Sequence, residues 1–176
     1  RIDLSAAVRI LGIDPGFRLT GYGLIDTNGQ QSVYVAHGSI KNTSADPAER
    51  LRNIFREIRA VIAKYQPDEL SVEKVFVARN ADSALKLGQA RSAAICASFD
   101  ADLPVHEYAP RLMKQSITGR GSADKEQVQH MVRVLLSYDG KLTLDESDAL
   151  GLALCHAHTR AISLLMQGAN DGVTAR

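Results

Sequence analysis

The sequence predicts a single α/β domain built on a mixed sheet. Three strand-like apolar runs come first, separated by turn residues, and alternating helical and strand-like segments follow. No internal repeat, low-complexity tract or linker interrupts that order. A chain of 176 residues suffices for one well-buried core but not for two ordinary domains.

Residues 8–14 are an apolar run stopped by Pro15-Gly16, which reads as a buried strand ending in a tight turn. Residues 19–25 and 32–40 are two further strands, with Asn28-Gly29 as the hairpin signal between them. Residues 47–65 give the clearest helix: Leu51, Ile54, Phe55, Ile58, Val61, Ile62 and Tyr65 keep helical spacing, and Pro67 ends it. A fourth strand covers 69–75. Asn80 or Asp82 is expected to cap a second helix reaching about residue 100. Its Ala84, Gly88 and Ser92 make a stripe of small side chains, suited to close approach by another helix of this chain or of a second copy. Residues 103–108 read as a fifth strand, and Pro110 opens a short helix at its first position. Ser122 is the expected cap of a helix through Ser137, and 138–144 form a polar turn. The last helix runs from near Asp145 to Leu165. Residues 1–8 read as an N-terminal extension, 9–166 as the domain and 167–176 as a flexible tail.

Composition narrows the class further. With 45% apolar and 23% charged residues, the chain has the profile of a soluble globular domain. No uninterrupted apolar run approaches the roughly 20 residues that span a bilayer, so no membrane role is expected. The opening residues, with Arg1 and Asp3, do not read as a secretory signal. Cys96 and Cys155 sit among small or apolar neighbours, without the spacing of a zinc site, and are expected to be buried free thiols. The net charge of +1 decides nothing, because an acidic site can mask a basic footprint. Basic residues do cluster, at Arg50, Arg52, Arg56 and Arg59 and again at Lys114, Arg120 and Lys125.

Four carboxylates carry the chemistry. Asp14 ends an apolar strand, where a charge is costly unless it meets a cation or water. Glu73 lies in Leu70-Ser71-Val72-Glu73, and alternation puts it on one face with Ser71 and Val75. Asp145 and Asp148 are one turn apart at the start of the last helix, whose dipole favours both negative charges and is expected to lower their pKa. Taken singly, Asp14 is equally a turn cap, Glu73 an edge-strand acid paired with a base, and Asp145 a helix cap. Together they converge only if something neutralises four like charges. Hard divalent cations with oxygen ligands do so, and two such ions about 4 Å apart can hydrolyse a phosphodiester.

Several segments closely resemble the RuvC family of crossover-junction endodeoxyribonucleases. They are Ile10-Leu11-Gly12-Ile13-Asp14-Pro15-Gly16 with Thr20-Gly21-Tyr22-Gly23; Val72-Glu73-Lys74-Val75-Phe76; the stretch from Asn80 to Arg91; Lys114-Gln115; Gly121-Ser122-Ala123-Asp124-Lys125 with Gln127 to Met131; and Asp145-Glu146-Ser147-Asp148-Ala149-Leu150. The resemblance implies an RNase H-like fold with a mixed five-stranded sheet flanked by helices. It implies a homodimer with two sites about a twofold axis, its dimer helix being the one that starts near Ala81. Asp14, Glu73, Asp145 and Asp148 match the family's metal-binding acids, for two Mg²⁺ ions per site with Mn²⁺ able to substitute. Lys114 and Lys125 match its catalytic basic residues near the scissile phosphate, and Phe76 an aromatic that contacts DNA at the crossover. Arg79, Asn80 and Arg120 join Phe76, Lys114 and Lys125 as expected DNA contacts. The implied reaction is resolution of four-way (Holliday) junctions by paired, symmetric cuts that leave 5′-phosphate and 3′-hydroxyl ends, in recombination and repair. The implied partners are the junction-recognition protein RuvA and the branch-migration motor RuvB, in a bacterial cytoplasm.

Two other readings are weighed against this one. An actin-like ATPase would use Asp14-Pro15-Gly16 as a phosphate turn, but it needs a second phosphate loop and a longer chain, and no P-loop motif is present. An inactive junction-binding scaffold would not need the complete acid set. His156 and His158, two apart on a helix, diverge by about 200° and are not expected to share an ion; they and His130 are expected to be structural or surface residues.

Overall fold

The structure, a computed structural model, describes residues 7–75 and 80–171. Five strands form one sheet: β1 (Val8–Asp14), β2 (Leu19–Thr27), β3 (Ser32–Lys41), β4 (Glu69–Glu73) and β5 (Val105–Tyr108), in the order β3-β2-β1-β4-β5. The β1–β2 and β2–β3 pairs are antiparallel, and β1–β4 and β4–β5 are parallel, so the sheet is mixed as expected. Helices α1 (Pro47–Tyr65) and α2 (Ala81–Cys96) cover one face; α3 (Pro110–Thr118), α4 (Lys125–Leu136) and α5 (Leu144–Asp171) cover the other.

Period-two alternation divides the core between the two faces. Leu11, Ile13, Leu24 and Leu70 pack with Ile54, Ile58, Ala90 and Ala94 of α1 and α2. Ile10 and Ile25 pack with Met113, Val128, Val132, Leu150 and Leu154 of α3–α5. Gly12 also faces α5, and its missing side chain is what lets the helix settle: a Cβ there would overlap the carbonyl oxygen of Ala149. Gly21 does the same on β2, where a Cβ would meet the carbonyl of Asp145. Close backbone approach therefore fixes α5 against β1 and β2.

The helices begin and end where local chemistry dictates. Asp46 caps α1 by accepting from the Ala48 N–H at 2.9 Å, with Pro47 in the first turn. Asn80 caps α2, accepting from Asp82 N at 2.9 Å. Helix α4 starts later than Ser122 suggests. Asp124 is its cap, and it forms a reciprocal capping box with Gln127, which satisfies two backbone donors where a serine would satisfy one. Thr143 and Glu146 form a similar box at α5: Thr143 N donates to Glu146 Oε2 at 2.8 Å, and Glu146 N donates to Thr143 Oγ1 at 3.3 Å.

Other boundaries shift outward or inward by a few residues. Pairing with β3 carries β2 on to Thr27, whereas β4 stops at Glu73. Helix α5 continues to Asp171, beyond the Leu165 at which its apolar pattern stops. Residues 144–166 are apolar and long enough to span a membrane by composition, yet half of that stretch is buried and it forms the central helix of the core. Cys155 is a buried free thiol as expected. Cys96 is free but exposed, because it lies on the outer side of α2. Residues 1–6 of the expected extension, 172–176 of the expected tail, and the expected DNA contacts Phe76 and Arg79 lie outside the described residues.

Candidate active site

Parallel pairing of β1 and β4 brings two acids to one edge of the sheet. The register sets Ile13 beside Val72, so the next residues, Asp14 and Glu73, end adjacent strands on the α5 side. Ser71, on the same face as Glu73, donates to the Leu152 carbonyl at 2.8 Å and ties β4 to α5. Arg91 of α2 donates from Nε to the Glu73 carbonyl at 3.1 Å while pairing with Glu107, and so anchors the end of the strand. The first turns of α5, held by the Thr143–Glu146 box, bring Asp145 and Asp148 to the same place. Ser39 donates to Glu146 at 2.8 Å, pinning the start of the helix to β3.

The four acids feel one another. Burial pushes the Asp14 carboxyl up to about 8, and the charges of Glu73, Asp148 and Asp145 push in the same direction, against Lys125. Glu73 is raised by burial and by Asp148, with Lys125 and Lys114 opposing. Asp148 is buried and its pKa is raised by that burial, even though Lys125 Nζ sits 2.8 Å from its Oδ2. This corrects the expectation that the helix dipole would lower it: at a buried position, loss of hydration outweighs the dipole. Burial works against the charge of Lys125, but its hydrogen bond to Asp148 and the surrounding acids raise its pKa.

Both expected lysines therefore belong to the cluster. Lys125 is the first residue of α4, placed by the Asp124 cap, and Lys114 on α3 bears on Glu73 and Asp148. Two expected DNA contacts stand elsewhere. Asn80 uses its carboxamide oxygen to cap α2, and Arg120 is exposed in the turn between α3 and α4, its N–H bonded to Thr118. Sequence reading had assigned no part to Glu146, Thr143, Ser39 or Arg91. The Thr-x-x-Glu spacing before the last helix is the signal that reveals the first two, whereas Ser39 and Arg91 act across the fold and leave no local pattern.

The donor set is made of carboxylate oxygens alone, mutually repelling and only partly offset by two lysines. That is chemistry for hard divalent ions, and the residues fit them. A mixed sheet with such an acid set at the ends of its two central strands and at the start of the helix crossing them defines a metal-dependent nuclease of the RNase H-like class.

Comparison with known proteins specifies the family. The family model for crossover junction endodeoxyribonuclease RuvC matches residues 10–156. The RuvC protein of Methylococcus capsulatus is 57% identical over 152 residues, covering 86% of this chain and 92% of that protein. That of Vibrio cholerae is 50% identical over 159 residues, covering 90% and 92%. The structure of Thermus thermophilus RuvC in complex with a Holliday junction substrate superposes with a TM-score of 0.83 at 32% identity, covering 89% of this chain and 96% of that one. The chain belongs to the RuvC family of crossover junction endodeoxyribonucleases.

Proposed function

We propose that this chain resolves four-way DNA junctions by paired phosphodiester cuts, and that Asp14, Glu73, Asp145 and Asp148 form its catalytic metal site. The observation that carries the reading is the meeting of these acids from β1, β4 and α5: Asp14, whose pKa burial lifts to about 8, also feels the charges of Glu73, Asp148 and Asp145. A dication relieves that repulsion, and all-oxygen donors favour Mg²⁺, with Mn²⁺ able to replace it. Two such ions, when bound, would supply an activated water and stabilise the leaving oxygen. Lys125, 2.8 Å from Asp148, opposes the upward push that burial gives that acid. Lys114 and Lys125, both near enough to act on Glu73, would offset charge gathering on a phosphate oxygen. Phe76, Arg79, Asn80 and Arg120 are proposed to touch the DNA flanking the cut.

The reading also includes a homodimer. The small-residue stripe of α2 is not covered by another part of the described chain. A Cβ on Gly88 would meet nothing within 4 Å, and Leu85 beside it is 68% exposed. A second copy packed there would set two equivalent sites about a twofold axis, which matches the symmetry of paired cuts. The nuclease unit would occupy 9–166, with 1–8 an extension and 167–176 a tail. It would work in a bacterial cytoplasm with the RuvA and RuvB proteins that recognise and move the junction.

The test is cleavage of a synthetic four-way junction by the wild type and Asp14→Asn, with Mg²⁺ and with EDTA, binding being measured in parallel. Paired, ligatable, Mg²⁺-dependent cuts, lost in Asp14→Asn with binding kept, are expected. Binding without cleavage in any divalent ion would instead make the protein a junction scaffold.

A further inference from the structure

The β4–α5 pair carries a second convergence of ligand atoms at its opposite end. Glu69 lies four residues before Glu73 on β4, and His156 lies eight residues after Asp148 on α5. Those separations amount to about 13 Å along the strand and about 12 Å along the helix, too far to share ions with the acid site. His106 of β5 completes the group: Glu69, His106 and His156 each present one ligand atom within 4.8 Å of the others.

The arrangement is more than a buried ion pair. His156 is hydrogen-bonded through Nε2 to Glu69 Oε2, which on its own is an ordinary structural contact. A second imidazole, His106, stacks on the first with ring centroids 4.0 Å apart and planes at 23°. Its Nε2 lies 3.8 Å from the same carboxylate oxygen, beyond hydrogen-bonding distance. Arg160 Nε occupies the other oxygen, Oε1, at 3.1 Å, so Oε2 alone faces the histidines. Behind His156, the Tyr108 hydroxyl lies 2.6 Å from Nδ1 and fixes the ring's orientation. His156 is buried, whereas the His106 side chain is 40% exposed, so one side of the group is open to water.

We propose that Glu69, His106 and His156 form a second metal site, of the two-histidine, one-carboxylate type, for zinc or another borderline transition ion. Nitrogen donors separate it chemically from the all-oxygen site, which suits Mg²⁺. Tetrahedral zinc sets its ligand atoms about 3.4 Å apart. The close Glu69–His156 contact would open and the 3.8 Å separation would shorten, both by small side-chain rotations. As the ion takes Nε2 of the neutral His156, its single ring proton moves by exchange with solvent from Nε2 to Nδ1, with no net release. The Tyr108 oxygen, able to donate or accept, then accepts from it. Solvent fills the open position. Bound there, the ion would clamp α5 to β4 and β5, the frame that sets Glu73 against Asp145 and Asp148.

The test uses the full chain carrying Asp14→Asn and Asp148→Asn, which disables the acid site, stripped with EDTA and titrated with Zn²⁺ by calorimetry and with Co²⁺ by visible absorption. One equivalent of Zn²⁺ is expected, together with the intense Co²⁺ bands of a tetrahedral site. Adding His106→Ala, at a partly exposed position that tolerates the change, is expected to abolish those bands. It should also weaken Zn²⁺ by more than the roughly 10- to 100-fold that loss of an outer-shell partner costs. Glu69→Gln is expected to act in the same direction. Absence of Zn²⁺ uptake, or uptake that His106→Ala leaves unchanged, would overturn the proposal.

Discussion

Burial pushes the Asp14 carboxyl up to about 8, and three neighbouring carboxylates add to that push against one lysine. The consequence for stability has a definite sign. An acid whose folded-state pKa lies above its unfolded value contributes stability below that unfolded value and loses it as pH rises through the folded one. In EDTA, this group should therefore lower the melting temperature progressively between about pH 4 and pH 8. Glu73 and Asp148, raised in the same way, add to the loss. Asp14→Asn removes the largest contribution, so at pH 8 and without metal it is expected to melt above wild type, and Mg²⁺ should restore the wild type preferentially. Thermal melts of both proteins across pH, with and without Mg²⁺, check this. Lys125→Ala should reduce cleavage by about 100-fold or more, as loss of a charge-stabilising donor does, while single-turnover junction binding changes little. At this scale much of the site was legible in the sequence. Asp14 and Glu73 each have an ordinary structural reading when taken alone, and only their combination with Asp145 and Asp148 points to a cation. The direction of the Asp148 shift and the exposure of Cys96 were not legible, because both depend on what the rest of the fold places over a side chain.

The helices and strands position these groups through contacts that a linear pattern records only in part. Gly12 is the sharpest case. A methyl group there would overlap the Ala149 carbonyl and lift α5 from β1. Overpacking of this kind costs about 1–3 kcal/mol, and the displacement would also part Asp14 from Asp145 and Asp148. Gly12→Ala is expected to lose both stability, read by urea denaturation, and Mg²⁺-dependent cleavage, while Gly119→Asn, strained by its left-handed backbone but with open space around its Cβ, should cost some stability and spare cleavage. Asp124→Ala addresses the other end of the site. It removes the cap and half of the reciprocal box, at a cost of about 1 kcal/mol, and frees the first turn of α4 that bears Lys125. Its cleavage rate should fall further than its stability, which a comparison of turnover and urea midpoint would reveal. Apolar periodicity locates α1 and α4, whereas α2 is read from its cap and small-residue stripe and α3 from Pro110. The α4 boundary was misread because Ser122 and Asp124 are both good caps, and only the reciprocal Gln127 bond distinguishes them.

At the scale of the whole molecule, the mixed sheet order explains why the site lies where it does. The two central strands, β1 and β4, run parallel and end together, and α5 crosses that end with its N-terminus, so three distant segments meet at one edge. The opposite sheet face is closed by α1 and α2, and the outer side of α2 is the surface proposed for a second copy. Leu85 stands at 68% exposure on that side, beside the open stripe at Gly88. A glutamate at residue 85 would set like charges against each other across a twofold axis, where each subunit presents the same residue to its mate. Leu85→Glu should therefore elute as a monomer in size-exclusion chromatography with light scattering. On a cruciform plasmid, the proposed dimer should make two cuts within one encounter and yield linear product. The monomer, with its acids intact, should yield nicked circles instead. A Leu85→Glu protein that stays dimeric would place the interface elsewhere. A monomer that still gave linear product would show that paired cutting does not require two joined sites.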